Sequence, residues 1–220
     1  MYVQRCDLNI EETPWKERRK RRVLWTMVTT QLSVFAITTG RGAAVLRELV
    51  GDWYSSILTS DRAKVYDSYP LRRRQICWSH LLRDFQAMID RGWPGQVVGE
   101  ALLKRAYVLF VWWHWVRDGT WKRSTFQLYV RTLRASFKME LEWGSLSAGP
   151  KTAATCRELL AREAALWTFV RVDGLDPTNN ASERSLRGAV LWRKVSFGTQ
   201  SARGSRFVAS MLTVLMSCQL

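Results

Sequence analysis

The chain of 220 residues is 47% hydrophobic and 24% charged, ordinary proportions for a packed protein and far from the low apolar content that keeps a chain disordered. Its 34 lysines and arginines against 19 aspartates and glutamates leave a formal net charge of +15, which makes polyanions the natural partners, nucleic acid or an anionic membrane surface. Four scattered cysteines without a preceding secretory signal argue against a disulfide framework and for a reducing cytoplasmic setting, and the longest apolar run, Ala106–Val116, is broken by His114 and falls short of the ~20 residues that span a bilayer.

In chain order, Cys6–Glu11 partly alternates apolar and polar residues, while Val23–Thr30 and Ser33–Thr39 are rich in β-branched and aromatic residues. Three strands are predicted, the last two joined by a short link at Gln31 and Leu32. The turn Gly40-Arg41-Gly42 leads into a helix over Ala43–Val50, then a short buried strand over Ser55–Ser60 ending at Asp61. A helix over Arg62–Tyr69, a strand over Gln75–Cys77 and a helix from Trp78 to about Arg91 follow, an alternation that points to a mixed α/β sheet. From Pro94 to Phe169, apolar residues such as Val97, Ala101, Leu102, Ala106, Leu109 and Trp113 recur at helical spacing with no strand between them. A large helical insertion is therefore expected, with a loop at Gly144–Pro150 and a long last helix over Thr152–Val170. The turn-rich stretch Asp173–Asn180 precedes a helix over Ala181–Arg193, and Gly198–Gly204 precedes a final helix ending near Cys218.

Two constellations carry chemistry. Asp61 closes a predicted strand, where a rigid sheet can aim a carboxylate; it is followed by Tyr66 and by Cys77-Trp-Ser-His80-Leu-Leu-Arg83-Asp-Phe85. The second is Pro177-Thr-Asn179-Asn180-Ala-Ser-Glu183-Arg184-Ser-Leu-Arg187, a glutamate opening an arginine-rich helix. At both, the chain resembles the insertion-sequence-66 family of bacterial transposases, whose members carry a strand-end Asp before a tyrosine, a C-W-x-H-L-x-R-x-F run and a P-T-N-N-x-x-E-R-x-L-R helix start. The likeness extends to Leu24-Trp25, Leu166–Phe169, Arg193-Lys194 and Phe197–Ser201, and so covers nearly the whole chain.

The resemblance implies a DDE-type catalytic core on an RNase H-like mixed sheet flanked by helices, in which three acids hold two divalent metals, Mg²⁺ or Mn²⁺ in its place. It also implies an organisation into residues 1–92 as the first part of the core, 93–172 as the helical insertion between the second and third acids, and 173–220 as the carboxy-terminal helices carrying the third acid. The family's second and third acids fall on Asp61 and Glu183. Its first opens a D-E-T-x-W motif that here reads Glu11-Glu12-Thr13-Pro14-Trp15, so the first acid is Glu11. A Glu is one methylene longer than an Asp, Mg²⁺ demands near-octahedral geometry, and about 1 Å of misplacement can cost roughly a hundredfold in rate; impaired activity is expected. On a strand, Asp7, Asn9 and Glu11 share one face and Glu12 the other, and Asp7 stands too far along, about 13 Å, to replace Glu11. His80 is expected near the acids, orienting phosphate. The expected partner is double-stranded DNA, transposon end and target, gripped by Arg18, Arg19, Lys20, Arg21, Arg22, Arg83, Arg184, Arg187, Arg193 and Lys194. The setting implied is the bacterial nucleoid, with a homo-oligomer as the working form. Relatives carry an amino-terminal region of helix-turn-helix and zinc-binding character with no counterpart here, so recognition of the element ends is expected to be lost.

Plainer readings stand beside these. Asn180 as N-cap with Glu183 three residues on makes a capping box, with Arg187 at i+4 for an ion pair. Asp61 alone can cap a turn. Cys77 and His80 lack the second ligand pair of a closed zinc site. The basic run Arg18–Arg22, placed in the link between the first two strands, can be a solvated loop. Trp112, Trp113 and Trp115 suit helical core better than a stacking surface for bases. Three functions remain: an active transposase core, a catalytically inactive remnant that retains non-specific DNA binding, and a basic adaptor unrelated to transposition.

Overall fold

The computed structural model describes residues 7–51 and 56–220; Cys6 and Ser55, at the ends of two predicted strands, lie outside them. Two compact units divide the chain, one reaching to Cys77 and resuming over Asp176–Leu220, the other spanning Trp78–Leu175. The first is a mixed α/β unit. β1 (Leu8–Glu17), β2 (Lys20–Val28) and β3 (Ser33–Thr38) form an antiparallel meander, and β4 (Leu58–Ser60) and β5 (Arg74–Ile76) run parallel to β1, giving the order β3-β2-β1-β4-β5.

Period-two alternation along β1 builds two cores. Leu8 and Ile10 join Trp25, Met27, Leu58 and Tyr66 against α1 (Ala43–Val50), which has the predicted bounds. Trp15 joins Leu24, Phe35, Leu186, Ala189, Val208 and Leu212, the last four from α8 (Asn180–Ser196) and α9 (Ala202–Ser217). The outer edge of β3 is closed by α9: Phe35 N–H donates to Thr213 Oγ1 at 2.9 Å and Ser33 N–H to Ser217 Oγ at 3.1 Å, which blunts an edge that could otherwise recruit another strand.

β1 runs six residues beyond the predicted end, so the whole motif from Glu11 to Trp15 is strand. The basic run is accordingly not a loop between strands. Arg18 and Arg19 form the tight turn, and Lys20, Arg21 and Arg22 already belong to β2, paired with Glu17, Lys16 and Trp15. β1 also outruns β4, which pairs only with Leu8 and Asn9. Pro14 survives mid-strand because its nitrogen faces this open edge, where no ladder donor is required; the carbonyls of Pro14 and Lys16 point the same way and accept from Arg193 Nη1 and Thr199 N–H.

Residues 62–69, predicted as a helix, form a 3₁₀ turn at Lys64–Ser68. The second unit is helical throughout its described elements: α2 (Trp78–Ile89), α3 (Gly95–Arg117), α4 (Arg123–Ser147), α5 (Pro150–Ala161), α6 (Glu163–Leu166) and α7 (Thr168–Arg171). The loop predicted at Gly144–Pro150 is shortened to Ala148 and Gly149, since Gly144–Ser147 form the last turn of α4 and Pro150 opens α5. Gly144 there is a close-packing residue rather than a breaker, since a Cβ would lie 2.8 Å from Cys156 Sγ and 2.8 Å from Val98. The long helix predicted over Thr152–Val170 breaks at Arg162 and Trp167, whose ψ angles of 16° and 14° leave the helical range; the break seats Trp167 against Trp78 (ring centroids 5.1 Å) and Phe137 (5.6 Å). Trp113 is core, as predicted, but Trp112 and Trp115 are only half-buried and pack with Trp121 and Tyr129 at the surface. No helix among the described residues is long and apolar enough to cross a membrane, and Cys77, Cys156 and Cys218 are thiols rather than disulfide-bonded.

Candidate active site

Register explains why Glu11 and Asp61 meet. β1 and β4 pair in parallel with Asn9 opposite Thr59, and β4 and β5 with Ser60 opposite Ile76. Carried forward, the same offsets set Glu11, Asp61 and Cys77 on one level across three adjacent chains about 4.8 Å apart; the Cys77 N–H still donates to the Ser60 carbonyl at 2.8 Å. The carboxylate oxygens of Glu11 and Asp61 lie within 4.8 Å of each other. Asp61 is held by its surroundings as well as by the sheet, because its Oδ1 accepts from Ala63 N–H at 2.8 Å and its carbonyl accepts from the buried Arg74 guanidinium at 2.9 Å.

Glu183 reaches the same level from α8. Its carboxylate lies within 4.8 Å of Cys77 Sγ, and Asn179 joins the two halves. Asn179 is fully buried; its backbone N–H donates to Cys77 Sγ at 3.1 Å, and its Nδ2 donates to the Ile10 carbonyl at 2.7 Å and to Glu11 Oε2 at 2.9 Å. The capping box drawn on Asn180 is therefore not formed. The helix starts at Asn180, its N-cap is Asn179, and that side chain reaches across to β1 instead of capping. Asn179 is a residue the sequence reading passed over, although its place in the P-T-N-N motif was the available signal.

The cluster is electrostatically unfavourable as it stands. The Glu11 carboxyl is pushed up to about 8, chiefly by burial, then by the charges of Asp61 and Glu12, with the Asn179 bond opposing and Glu183 adding to the rise. Glu12, on the opposite strand face as expected, is also raised by burial even though the Tyr66 hydroxyl donates to it. That bond gives the tyrosine after Asp61 a structural role. Tyr66→Phe should cost about 1–3 kcal/mol, the price of stranding a buried acceptor; a denaturation midpoint unchanged from wild type would show Glu12 is satisfied without it.

The remaining predicted residues divide. His80 and Arg83 stand in the first two turns of α2, in the second unit. Arg18, assigned to DNA from sequence, donates through Nε to the Gln200 carbonyl, and Arg22 pairs with Glu17 at 2.9 Å, so both serve the fold. Arg193 likewise binds Thr13 Oγ1 at 2.9 Å and the Pro14 carbonyl. Arg19, Lys20 and Arg21 are exposed, as are Arg184, Arg187 and Lys194, whose spacing puts them on the solvent side of α8 away from buried Ser182, Ser185 and Ala189.

The unit is a five-stranded mixed α/β sheet with Glu11 and Asp61 adjacent at the strand ends and buried Asn179 bonded to Glu11. The family is shown by comparison: the chain belongs to the Transposase IS66 family, whose model matches residues 4–206. It is 28% identical over 199 residues to the uncharacterized protein y4qI of Sinorhizobium fredii, an alignment covering 82% of this chain and 36% of that protein. The chain thus spans about a third of that relative's length. No solved structure matches it.

Proposed function

We propose that the chain is the catalytic core of a transposase that cleaves DNA and transfers the strand, on an RNase H-like sheet, with Glu11, Asp61 and Glu183 as ligands for Mg²⁺ or Mn²⁺. The observation that supports this is the meeting of the Glu11 and Asp61 carboxylates within 4.8 Å, with Asn179 bonded to Glu11 and Glu183 near enough that its charge also raises the Glu11 carboxyl. The strand order, with the first two acids on adjacent parallel chains, supports the RNase H-like reading.

The residues fit a hard divalent cation. Their donors are carboxylate oxygens, the ligands Mg²⁺ prefers; the mutual repulsion that raises Glu11 is the kind a cation relieves; and Asn179 Oδ1 is buried with no hydrogen-bond partner. Paired divalent ions supply an activated water or hydroxyl and stabilise the leaving oxygen of an in-line displacement at phosphorus. The chain's own part is positional. Parallel register sets Glu11 beside Asp61, Asn179 orients the Glu11 carboxylate, and Arg184, Arg187 and Lys194 on the outer side of α8 offer phosphate contacts. The chemistry is a hydrolytic nick followed by attack of the freed 3′-hydroxyl on target DNA. Glu in place of Asp at the first position slows it.

Labelled duplex DNA incubated with the protein and Mg²⁺ or Mn²⁺ tests the reading. Asp61→Ala and Glu183→Ala should each lower cleavage by at least about a hundredfold, since loss of even an outer-shell partner costs 10–100-fold. Glu11→Asp should raise it, by up to about a hundredfold. Cleavage that survives Glu183→Ala would sink the assignment. DNA binding without cleavage in the wild type and in Glu11→Asp would favour the inactive remnant, a reading that the Glu at position 11 motivates.

A further inference from the structure

A cleft of about 650 Å³ is lined by the outer part of β1, the start of β2 and the end of α8. We propose that it takes one unpaired nucleotide of a DNA strand, the base against Phe197 and the phosphates on Lys16, Arg21 and Arg41. This rests on the DNA reading above and adds to it a strand state and a binding site.

Size argues for a single nucleotide, because pockets of about 300–1,000 Å³ enclose one small ligand and a stacked duplex does not enter. The lining combines two chemistries. Pro14, Trp15, Val23 and Phe197 make apolar walls, while Lys16, Arg21, Arg22, Arg41 and Arg193 face one acid, Glu12. Glu12 is already engaged by the Tyr66 hydroxyl and lies 3.7 Å from Arg41. Arg22 and Arg193 are committed to Glu17 and to β1, so phosphate contact falls to exposed Lys16 and Arg21 and to Arg41, whose longer pairing with Glu12 leaves its side chain 68% exposed.

Phe197 is the distinctive element. It is 76% exposed at φ 57°, a left-handed conformation uncommon for a bulky residue and usually retained only where the surroundings enforce it. They do so here: the Phe197 N–H closes α8 on the Arg193 carbonyl at 2.9 Å, and Thr199 N–H binds the Lys16 carbonyl at 2.9 Å. An aromatic ring on a fixed backbone, exposed to water beside cations, is a poor core residue and a good platform for a base, since stacking accepts any base and needs its face uncovered. Paired bases hide those faces; an unpaired or extruded one does not. Glu12, Pro14 and Lys16 line the cleft from the face of β1 opposite Glu11, with Val23 and Arg21 beside them on β2.

Fluorescence anisotropy in chelator compares a blunt duplex, the same duplex with a short single-stranded extension, and that extension with abasic sites. Wild type should bind the extended duplex more tightly than the blunt or abasic forms. Phe197→Ala should weaken binding of the extended duplex roughly tenfold to a hundredfold and leave the blunt duplex within about twofold. Arg21→Ala should lower the slope of log affinity against log salt by about one phosphate contact for the extended form. A 2-aminopurine in the extension should be quenched by wild type and not by Phe197→Ala. Equal effects of Phe197→Ala on blunt and extended DNA, or none on either, would overturn the cleft assignment while leaving the cleavage reading standing. Failure of wild type to bind any DNA would overturn both.

Discussion

In metal-free buffer, Glu11→Gln should make the protein more stable, by a margin that grows from nothing near pH 4 to at most about 3 kcal/mol at pH 7. The sign follows from linkage. The Glu11 carboxyl titrates near 8 in the fold against 4.5 for the unperturbed group, so the folded state holds its proton more tightly. Stability is fully present below pH 4.5 and is lost as pH rises through 8. At ~1.4 kcal/mol per pH unit, and with some screening because the side chain is only half-buried, about 3 kcal/mol is an upper figure at neutrality. A glutamine accepts the Asn179 N–H without a charge, so it keeps the bond and removes the repulsion from Asp61, Glu12 and Glu183. Melting curves of both proteins from pH 4 to 8 decide it: divergence of several degrees toward high pH is expected, and parallel curves would mean Glu11 is not in a crowded acidic site. A site that destabilises its own fold in the absence of a cation is what function at this position predicts.

Gly198→Ala should cost at least about 3 kcal/mol and lower expression of folded protein. Gly198 has φ 100°, and a Cβ there would lie 2.2 Å from the Lys16 carbonyl oxygen. Both the backbone conformation and the contact exclude a side chain. The contact cannot relax cheaply because the segment is sewn to β1: Thr199 pairs with Glu17 as an isolated parallel bridge, and Arg18 N–H donates to the Thr199 carbonyl at 2.7 Å. Trp15 Nε1 donates to Thr199 Oγ1 at 3.2 Å, and Ser205 bonds both Thr199 and Glu17 at 2.7 Å. Gly188→Ala is the control. It lies inside α8, its added Cβ meets only Met216 atoms at 3.8 Å, and helix propensity favours alanine by up to ~1 kcal/mol. Urea denaturation of the two variants should move in opposite directions; a Gly198→Ala midpoint near wild type would show that the strap can shift.

Much of this was legible in the residues themselves. The period-two reading that set Asp7, Asn9 and Glu11 against Glu12 agrees with the alternation along β1, and the bounds of α1 followed from the glycine turn and apolar spacing alone. The predicted strand end at Asp61 and helix start beside Glu183 stand where the fold puts them to within a residue or two. The misses share a cause. Gly144 looked like a breaker and is a contact; Thr152–Val170 looked continuous and bends so that Trp167 can reach Trp78 and Phe137. Arg18 and Arg22, read from sequence as phosphate contacts, also bond Gln200 and Glu17 within the fold.

Local periodicity, charge balance and motif content were enough to determine a mixed α/β core, a helical stretch between the second and third acids, and membership of the Transposase IS66 family, because each depends on residues a few positions apart or on the chain's letters directly. Tertiary structure alone decided the strand register that sets Glu11 beside Asp61, the bond from Asn179 to Glu11 across 168 residues, and the meeting of Phe197 with Arg21 and Lys16 around one cleft. Those are outcomes of packing two faces of one sheet simultaneously, and backbone propensities, which act over a few residues, carry no information about them.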